Sequence, residues 1–294
     1  MILSEIRVHS PRTISEAIKL LSDLKDARIM AGGTDLLVDI KQGLVKAREV
    51  ISLQNIEELK GIEKKGERIR IGAATSPKEI LSSTLIVKHF PALADAAGSM
   101  ASPQVRTLAT IGGNITSAVP SADLPPTLIA ADASVELHCA RSSREMPLSE
   151  FFTGPRETVC RAGELLTSVF LPLPPPNTGI SYQRFTLREA NALAVASVAS
   201  RLTLKSGKIE KAAVVLGAVA PTPVLAQKTS EFLQTKAPSP KIFEEASAIA
   251  SKEGKPISDI RGSAWYRKEL VRTLTRRSLS GAFERAREKS KEKK

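Results

Sequence analysis

Apolar residues near the start of the chain recur at the spacing of an amphipathic helix. Thr13 and Glu16 fit a capping box at the start of this helix, because each side chain can bond a free backbone N–H of the first turn. Apolar runs at 28–31 and 50–53 predict strands after it. The pattern therefore predicts a first α/β segment over residues 1–60. The helix-spaced residues are Ile14, Ala17, Ile18 and Leu21.

The second segment, residues 61–176, opens with strict alternation of polar and apolar side chains over 68–73, which predicts a half-buried strand. The string Ser76-Pro77-Lys78-Glu79 then combines an N-cap, a proline at the first helical position and a capping-box glutamate. We therefore expect a helix to begin after Ser76. The other elements predicted here are a helix at 91–97 and strands at 134–140 and 165–171.

Four prolines within residues 172–177 mark the strongest linker signal in the chain, since proline removes backbone donors and favours extended geometry. We place a domain boundary at residue 176. Beyond it, three alternating runs predict an antiparallel sheet followed by two helices, so residues 177–284 form a small α+β domain and residues 285–294 a charged, frayed tail. The strands are expected at 180–187, 193–204 and 208–219, and the helices around 242–249 and 270–274.

Each of the first two segments contains a glycine pair, the first directly after the predicted strand at 28–31 and the second after a loop at 99–107. The two strings are Ala31-Gly32-Gly33-Thr34-Asp35 and Thr110-Ile111-Gly112-Gly113-Asn114. Paired glycines allow positive φ and a close backbone approach, and successive exposed amides form a nest for anions. Two such loops could clamp a pyrophosphate from both sides. A plain tight turn remains the alternative for each loop, because Gly-Gly is common in turns. Neither the G-x-G-x-x-G string nor a P-loop occurs in the sequence.

Composition narrows the class of protein. The 294 residues are 42% hydrophobic, enough for a full core, and no apolar stretch approaches the ~18 residues of a membrane span. The first residues lack the basic region of a signal peptide, so we expect a cytoplasmic protein. Cys139 and Cys160 are too few for an iron–sulfur cluster or a zinc site and are expected to be small buried hydrophobes.

The formal net charge of +12 raises the possibility of nucleic-acid binding, because lysine and arginine neutralise phosphates. The distribution speaks against this function. Residues 284–294 hold six basic and three acidic side chains, and the rest of the excess is scattered among acidic neighbours. Aromatic residues, at 4%, are too sparse for base stacking. A solvated basic face, or a basic surface that docks an acidic partner, fits the pattern better.

Longer strings around the glycine pairs resemble the flavin signatures of the medium subunit of the molybdenum hydroxylase family, of the carbon monoxide dehydrogenase and xanthine dehydrogenase type. The resemblance covers nearly the whole chain, including the D-x-R-G-S-A-x-Y-R pattern of that family's flavoprotein C-terminal domain. The strings are Ala31-Gly32-Gly33-Thr34-Asp35-Leu36-Leu37, Ala109-Thr110-Ile111-Gly112-Gly113-Asn114-Ile115, Pro120-Ser121-Ala122-Asp123-Leu124-Pro125-Pro126 and Asp259-Ile260-Arg261-Gly262-Ser263-Ala264-Trp265-Tyr266-Arg267.

The resemblance implies an α+β fold with a two-subdomain, PCMH-type FAD-binding domain before a small C-terminal domain that has a three-stranded antiparallel sheet and helices. It implies non-covalent FAD. Arg184 stands two places after Tyr182, where relatives commonly carry lysine, and Asp123 could instead cap the helix that follows it. Leu166 is expected near the adenine and Met100 near the flavin, although both could be plain core. The implied cofactor residues are Ile29, Met30, Ala31, Gly32, Gly33, Thr34, Asp35, Leu36, Met100, Ala109, Thr110, Gly113, Asn114, Thr116, Ser117, Asp123, Leu166 and Arg184.

By the same resemblance, substrate is oxidised at a molybdenum-pterin centre on a large subunit, and electrons reach this chain through iron–sulfur clusters on a small subunit. FAD would then pass them to NAD, a quinone or oxygen, with no catalytic side chain and no metal ligand required from this chain. The complex is expected to be a dimer of heterotrimers. Two alternatives stay open: a stand-alone FAD-dependent oxidoreductase of the same fold, and a basic binding module without a cofactor.

Overall fold

The structure is a computed structural model that describes residues 5–291. Its first segment is a three-stranded parallel sheet in the order β1-β3-β2, in which helix α1 connects β1 to β2. Thr13 caps α1 as expected by accepting from the Glu16 N–H, but the Glu16 carboxylate accepts from the N–H of Arg12 rather than of Thr13. The elements are β1 (Arg7–His9), α1 (Ile14–Asp23), β2 (Arg28–Met30), α2 (Leu36–Lys41) and β3 (Glu49–Ser52).

A five-stranded antiparallel sheet forms the centre of the molecule, in the order β4-β5-β10-β6-β7. Its central strand β10 pairs with both β5 and β6, and all but the last of its residues are buried. A two-stranded hairpin, β8 with β9, stands apart from this sheet. The strands are β4 (Ile62–Lys65), β5 (Arg68–Gly72), β6 (Ser134–His138), β7 (Ser143–Pro147), β8 (Phe152–Gly154), β9 (Glu157–Thr158) and β10 (Leu165–Pro172).

Six helices pack against this sheet and bury its apolar face. The first begins as predicted: Ser76 accepts from the Glu79 N–H, and Glu79 accepts from the Ser76 N–H, so the capping box is complete. Another, α7, contains the second glycine pair, which the sequence had placed in a loop. The helices are α3 (Pro77–Ser82), α4 (Thr84–His89), α5 (Pro91–Ser99), α6 (Pro103–Leu108), α7 (Ile111–Thr116) and α8 (Leu124–Ala130).

The C-terminal segment is an antiparallel sheet in the order β11-β12-β13-β14, covered by helices. It adds a short fourth strand and a third helix to the predicted elements. Helix α11 lies directly on β11. The packing is so close that a Cβ added to Gly179 would lie 2.0 Å from the Ala282 carbonyl oxygen. The elements are β11 (Thr178–Phe185), β12 (Ala196–Lys205), β13 (Lys208–Gly217), β14 (Val224–Leu225), α9 (Gln227–Leu233), α10 (Pro240–Glu253) and α11 (Ala264–Lys291).

The α+β class is confirmed, with two corrections at the level of residues. The frayed tail does not begin at residue 285: α11 continues to Lys291 because Ala286 is buried and Arg285 donates to the Ile180 carbonyl. The tail residues 292–294 lie outside the described residues. Cys139 and Cys160 are half-buried rather than buried, and Cys139 sits at the turn between β6 and β7. The domain boundaries at residues 60 and 176 stay predictions.

Candidate functional site

A cavity of about 550 Å³ opens where the three segments meet. Its volume lies in the range of about 300–1,000 Å³ that is usual for small-molecule and cofactor sites. All but two of the predicted cofactor residues line it, so the fold brings the two distant glycine pairs to one place. The predicted residues in its wall are Ile29, Met30, Ala31, Gly32, Gly33, Thr34, Asp35, Leu36, Met100, Ala109, Thr110, Gly113, Asn114, Thr116, Ser117 and Asp123.

The first glycine loop leads from β2 into α2. Gly33 adopts a φ of +70°, which disfavours residues with a side chain. Gly32 is required for a different reason, since a Cβ there would lie 1.9 Å from the Leu108 carbonyl oxygen. The loop therefore packs with its backbone against the end of α6, immediately before the second glycine pair.

The second glycine pair lies in the first turn of α7, a helix of six residues. Thr110 caps this helix: its side-chain oxygen accepts from the Gly113 N–H at 3.0 Å. Gly113 does not have a positive φ. A side chain is disfavoured there for lack of room, because a Cβ would lie 2.9 Å from the Thr110 hydroxyl oxygen. Gly112 faces the core instead, where a Cβ would lie 2.7 Å from the Ala73 carbonyl oxygen. Only Gly113 of the pair lines the cavity.

Asn114 supplies a buried acceptor beside the cavity. Its side-chain oxygen Oδ1 is buried and has no hydrogen-bond partner among the described residues, whereas its Nδ2 lies 3.9 Å from the Met100 sulfur. A buried polar atom that stays unpaired costs about 1–3 kcal/mol. A ligand that carries a hydrogen-bond donor would satisfy it. FAD carries N–H and hydroxyl donors, so the residue fits this cofactor.

Asp123 lies at the inner wall of the cavity and is 6% exposed. It precedes α8 but makes no side-chain cap bond there, so the capping alternative is not realised. Instead Tyr182 Oη donates to Oδ1 at 2.8 Å, and Arg184 Nη1 lies 3.0 Å from each carboxylate oxygen. Burial raises the pKa of Asp123, and the Arg184 guanidinium and the Tyr182 hydroxyl oppose this rise. Burial, followed by the nearby Asp123 carboxylate, raises the pKa of Tyr182 well above its ordinary value, so its hydroxyl remains a donor.

The structure does not bring Leu166 or Arg184 to the cavity wall. Leu166 is 4% exposed and packs in the core of the five-stranded sheet, which matches the plain-core alternative. Arg184 stands behind Asp123 with a side chain that is 10% exposed. Its contact with the cavity is therefore indirect, through the carboxylate of Asp123.

Several lining residues were not among the predicted ones. Some carry a local signal, such as the turn before Arg156 and the Pro120–Asp123 string that contains Ser121 and Ala122. Others come from the loop between β11 and β12, which no sequence pattern connects to the glycine pairs. The added residues are Arg28, Asp39, Ala101, Val105, Val119, Ser121, Ala122, Arg156, Asn191, Ala192 and Leu193.

The chemistry of the wall is that of a binding site for a large polar molecule. It combines backbone amides of the first glycine loop, hydroxyl groups and the charges of Arg28, Arg156, Asp35, Asp39 and Asp123. Among the described residues, no group of three or more histidine, cysteine, aspartate or glutamate side chains could hold a metal ion. None of the helices within residues 5–291 is long and apolar enough to cross a membrane.

Comparison with family models first defines the class. Residues 4–174, more than half of the chain, match a model described as the FAD binding domain in molybdopterin dehydrogenase. Residues 181–282 match the CO dehydrogenase flavoprotein C-terminal domain. The chain is thus an FAD-binding oxidoreductase component, as the resemblance in its sequence implied.

Individual relatives are similar to this chain over almost its full length. The chain is 32% identical to the xanthine dehydrogenase FAD-binding subunit of Escherichia coli O157:H7, over 93% of this chain and 94% of the relative. It is also 32% identical to the carbon monoxide dehydrogenase medium chain of Afipia carboxidovorans, over 97% and 99%. The solved carbon monoxide dehydrogenase of Hydrogenophaga pseudoflava superposes with a TM-score of 0.94 at 31% identity, over 97% of this chain and 99% of that one. The chain belongs to the family of FAD-binding medium subunits of molybdenum hydroxylases.

Proposed function

We propose that this chain is the electron-transferring subunit of a molybdenum hydroxylase complex in the cytoplasm. It would receive electrons from iron–sulfur clusters on a small subunit, after a molybdopterin-binding large subunit has oxidised the substrate. It would pass them to NAD, a quinone or oxygen. The complex would be a dimer of heterotrimers, and this chain would contribute a FAD-binding domain in two parts, divided near residue 60, and a C-terminal domain from residue 177.

The close packing of the first glycine loop against the segment that leads into the second glycine pair is the observation that carries this proposal. Gly32 meets the backbone at Leu108, so the first loop and the segment leading to Thr110 form one continuous wall. Backbone amides of the first loop would hold the pyrophosphate of FAD, as successive N–H groups hold anions elsewhere, whereas the amides of Ile111 to Asn114 already donate within the protein. Asn114 Oδ1 would accept a hydrogen bond from the cofactor. Non-covalent attachment is consistent with the wall, since its described residues include no histidine, cysteine or tyrosine.

Bound FAD would supply redox chemistry that exchanges one or two electrons, while the chain supplies binding and orientation. Asp123 keeps a carboxylate oxygen at the inner wall, where Arg184 and Tyr182 fix its direction. The loops that line the cavity would exclude water from the cofactor. No proton transfer by a side chain of this chain is required.

The first experiment measures FAD binding by the purified full-length chain. We expect one equivalent of FAD to bind, with visible flavin absorption bands that survive gel filtration. Gly113→Val should abolish these bands while the circular dichroism spectrum stays unchanged, because a branched side chain fills the wall beside Thr110. Gly254→Ala is the matched control, since its Cβ would lie in ordinary contact, 3.4 Å from Val219. A wild-type chain without flavin bands after reconstitution would favour the basic binding module and overturn the proposal.

The second experiment separates a relay subunit from a stand-alone enzyme. Tagged chain purified from its native host should bring down two further subunits, one with molybdopterin and one with iron–sulfur clusters. Turnover with the external acceptor should require all three subunits, whereas removal of FAD should block transfer to that acceptor and still let the substrate reduce the iron–sulfur clusters. A chain that elutes alone and oxidises a small substrate at full rate would instead identify a stand-alone oxidoreductase.

A further inference from the structure

Arg156 occupies the turn of the β8–β9 hairpin and lines the cavity. Its backbone has a φ of +62°, a conformation that glycine adopts freely and that crowds the Cβ of any other residue. Non-glycine residues with such a backbone are uncommon and often belong to functional sites. Glycine at this position would therefore remove the side chain without straining the turn, which makes the role of the side chain testable.

The two ends of Arg156 contact different halves of the cavity wall. Its backbone N–H donates to the Ala118 carbonyl at 2.9 Å, just beyond helix α7 and the second glycine pair. Its Nη1 donates to Asp39 Oδ2 at 2.8 Å, in helix α2 directly after the first glycine loop. One residue thus connects the segments that follow both glycine loops, although Asp39 and Arg156 lie 117 positions apart in sequence.

We propose that Arg156 is a tie between the two glycine loops that controls how fast FAD leaves the cavity. The inference rests on the proposed function, because it takes the cavity to be the FAD site. Arg156 is a positioning residue in this role: it holds the halves of the wall together through Asp39 and Ala118. FAD release requires the wall to open, and opening breaks the ion pair.

The exposure of the two partners suits a contact that opens and closes. The Asp39 side chain is 12% exposed, whereas that of Arg156 is 59% exposed. Water and salt reach the guanidinium, so the pair is weaker than a buried one and sensitive to ionic strength. Release of FAD should therefore accelerate with salt in the wild-type chain. The same salt change should have less effect once the pair is removed.

The decisive variant is Arg156→Gly, because only a tie role predicts that FAD leaves faster. If Arg156 served only the turn, glycine would relieve the backbone and FAD would leave at the same rate or more slowly. With the tie, we expect the dissociation rate of FAD to rise by about two- to fivefold, as for loss of a partly exposed ion pair. The rate is measured from the rise in flavin fluorescence after dilution of the loaded full-length chain. The thermal stability of the FAD-free chain should not fall.

Two further variants exclude a merely loosened hairpin. Asp39→Asn removes the other partner and leaves the hairpin sequence intact, so it should accelerate release to a similar extent. The double variant should release FAD no faster than either single one, because both changes break the same contact. Ser206→Gly is the control for backbone relief: this exposed residue has a φ of +49° in the β12–β13 turn, and its replacement should leave the release rate unchanged.

Each outcome decides one question. Full FAD occupancy with an unchanged release rate in Arg156→Gly overturns the tie and leaves the proposed function intact. Acceleration in Arg156→Gly alone, without acceleration in Asp39→Asn, also overturns it, since the flexible turn would then be the cause. Failure of the wild-type chain to bind FAD would refute the proposed function itself, and with it the tie.

Discussion

Gly32 packs the first glycine loop against Leu108, two residues before Thr110, since a Cβ on Gly32 would lie 1.9 Å from the Leu108 carbonyl oxygen. The contact is between backbones, and no rotamer change can relieve it. Any side chain at position 32 must therefore push the loops apart. This close approach therefore contributes to the width of the cavity.

Gly32→Ala should weaken FAD binding strongly. The overlap requires a backbone shift, for which overpacking penalties of about 1–3 kcal/mol are usual, and each 1.4 kcal/mol lost from the bound state lowers affinity about tenfold. We expect the dissociation constant for FAD to rise at least about tenfold, measured by fluorescence titration. Gly254→Ala, at a position with room for a methyl group, should bind FAD normally. Normal affinity in Gly32→Ala would show that the loops do not need their contact.

The Asp123 and Arg184 ion pair gives a prediction about stability. Asp123→Asn should lower the free energy of unfolding by about 3 kcal/mol, because it leaves the Arg184 guanidinium buried without a counter-charge. Urea denaturation of the FAD-free chain measures this change. The double variant Asp123→Leu/Arg184→Met should recover most of the loss, since no buried charge remains. A double variant as unstable as the single one would indicate that packing, not charge, holds this wall.

Glu164 and Arg144 make stability depend on pH. Arg144 donates to both carboxylate oxygens of Glu164 at 2.8 Å, and this hydrogen bonding holds the pKa of Glu164 below its ordinary value. A carboxylate with a lowered folded-state pKa stabilises the fold above its unfolded pKa of about 4.3, and this contribution disappears as pH falls through the folded-state value.

Glu164→Gln should therefore be about 1–2 kcal/mol less stable than the wild-type chain at neutral pH. The difference should shrink as the pH falls below about 4, where the wild-type carboxylate is protonated too. Denaturant titrations at a series of pH values provide the comparison. Glu150→Gln, at an exposed position, should differ little from the wild-type chain at any pH. A Glu164 difference that stays constant with pH would contradict the charged contact.

The close packing at Gly179, outside the glycine loops, leads to a prediction about stability. An added Cβ would lie 2.0 Å from the Ala282 carbonyl oxygen and 2.5 Å from the Ala286 nitrogen, so α11 could no longer lie on β11. Gly179→Ala should lower the free energy of unfolding by about 3 kcal/mol or more. Gly281→Ala is a mild control, because its Cβ meets only the Ser181 side chain, at 2.7 Å, and alanine favours the helix. Equal stabilities of the two variants would refute the close packing.

Hydrophobic periodicity predicted the inner elements well, and its failures have a physical pattern. Strand β5 and the capping box at Ser76 were predicted because local spacing determines both. Strands β4 and β7 were missed, since they are the edges of the sheet and remain half-exposed or exposed along their length. An edge strand has no continuous apolar face for the sequence to display.

The parts of the candidate site that consist of consecutive residues could be predicted from the sequence. The parts that form where distant segments meet could not. Both glycine pairs were identified, but α7 was expected to be a loop because glycine is unfavourable within helices. Thr110 offsets this preference by capping the first turn. The contact of Arg156 with Asp39 and the position of Leu193 depend on the tertiary fold. No local pattern in the sequence encodes either of them.

The cavity has walls from all three segments, including Asn191–Leu193 from the loop after β11. A ligand that binds only the folded chain stabilises it by mass action, about 4 kcal/mol at a thousandfold excess over its dissociation constant. Bound FAD would thus stabilise the folded chain as well as serve as its redox group. A chain synthesised during a shortage of flavin would unfold more often and be cleaved by proteases. Its abundance in the cell would therefore fall when flavin is scarce.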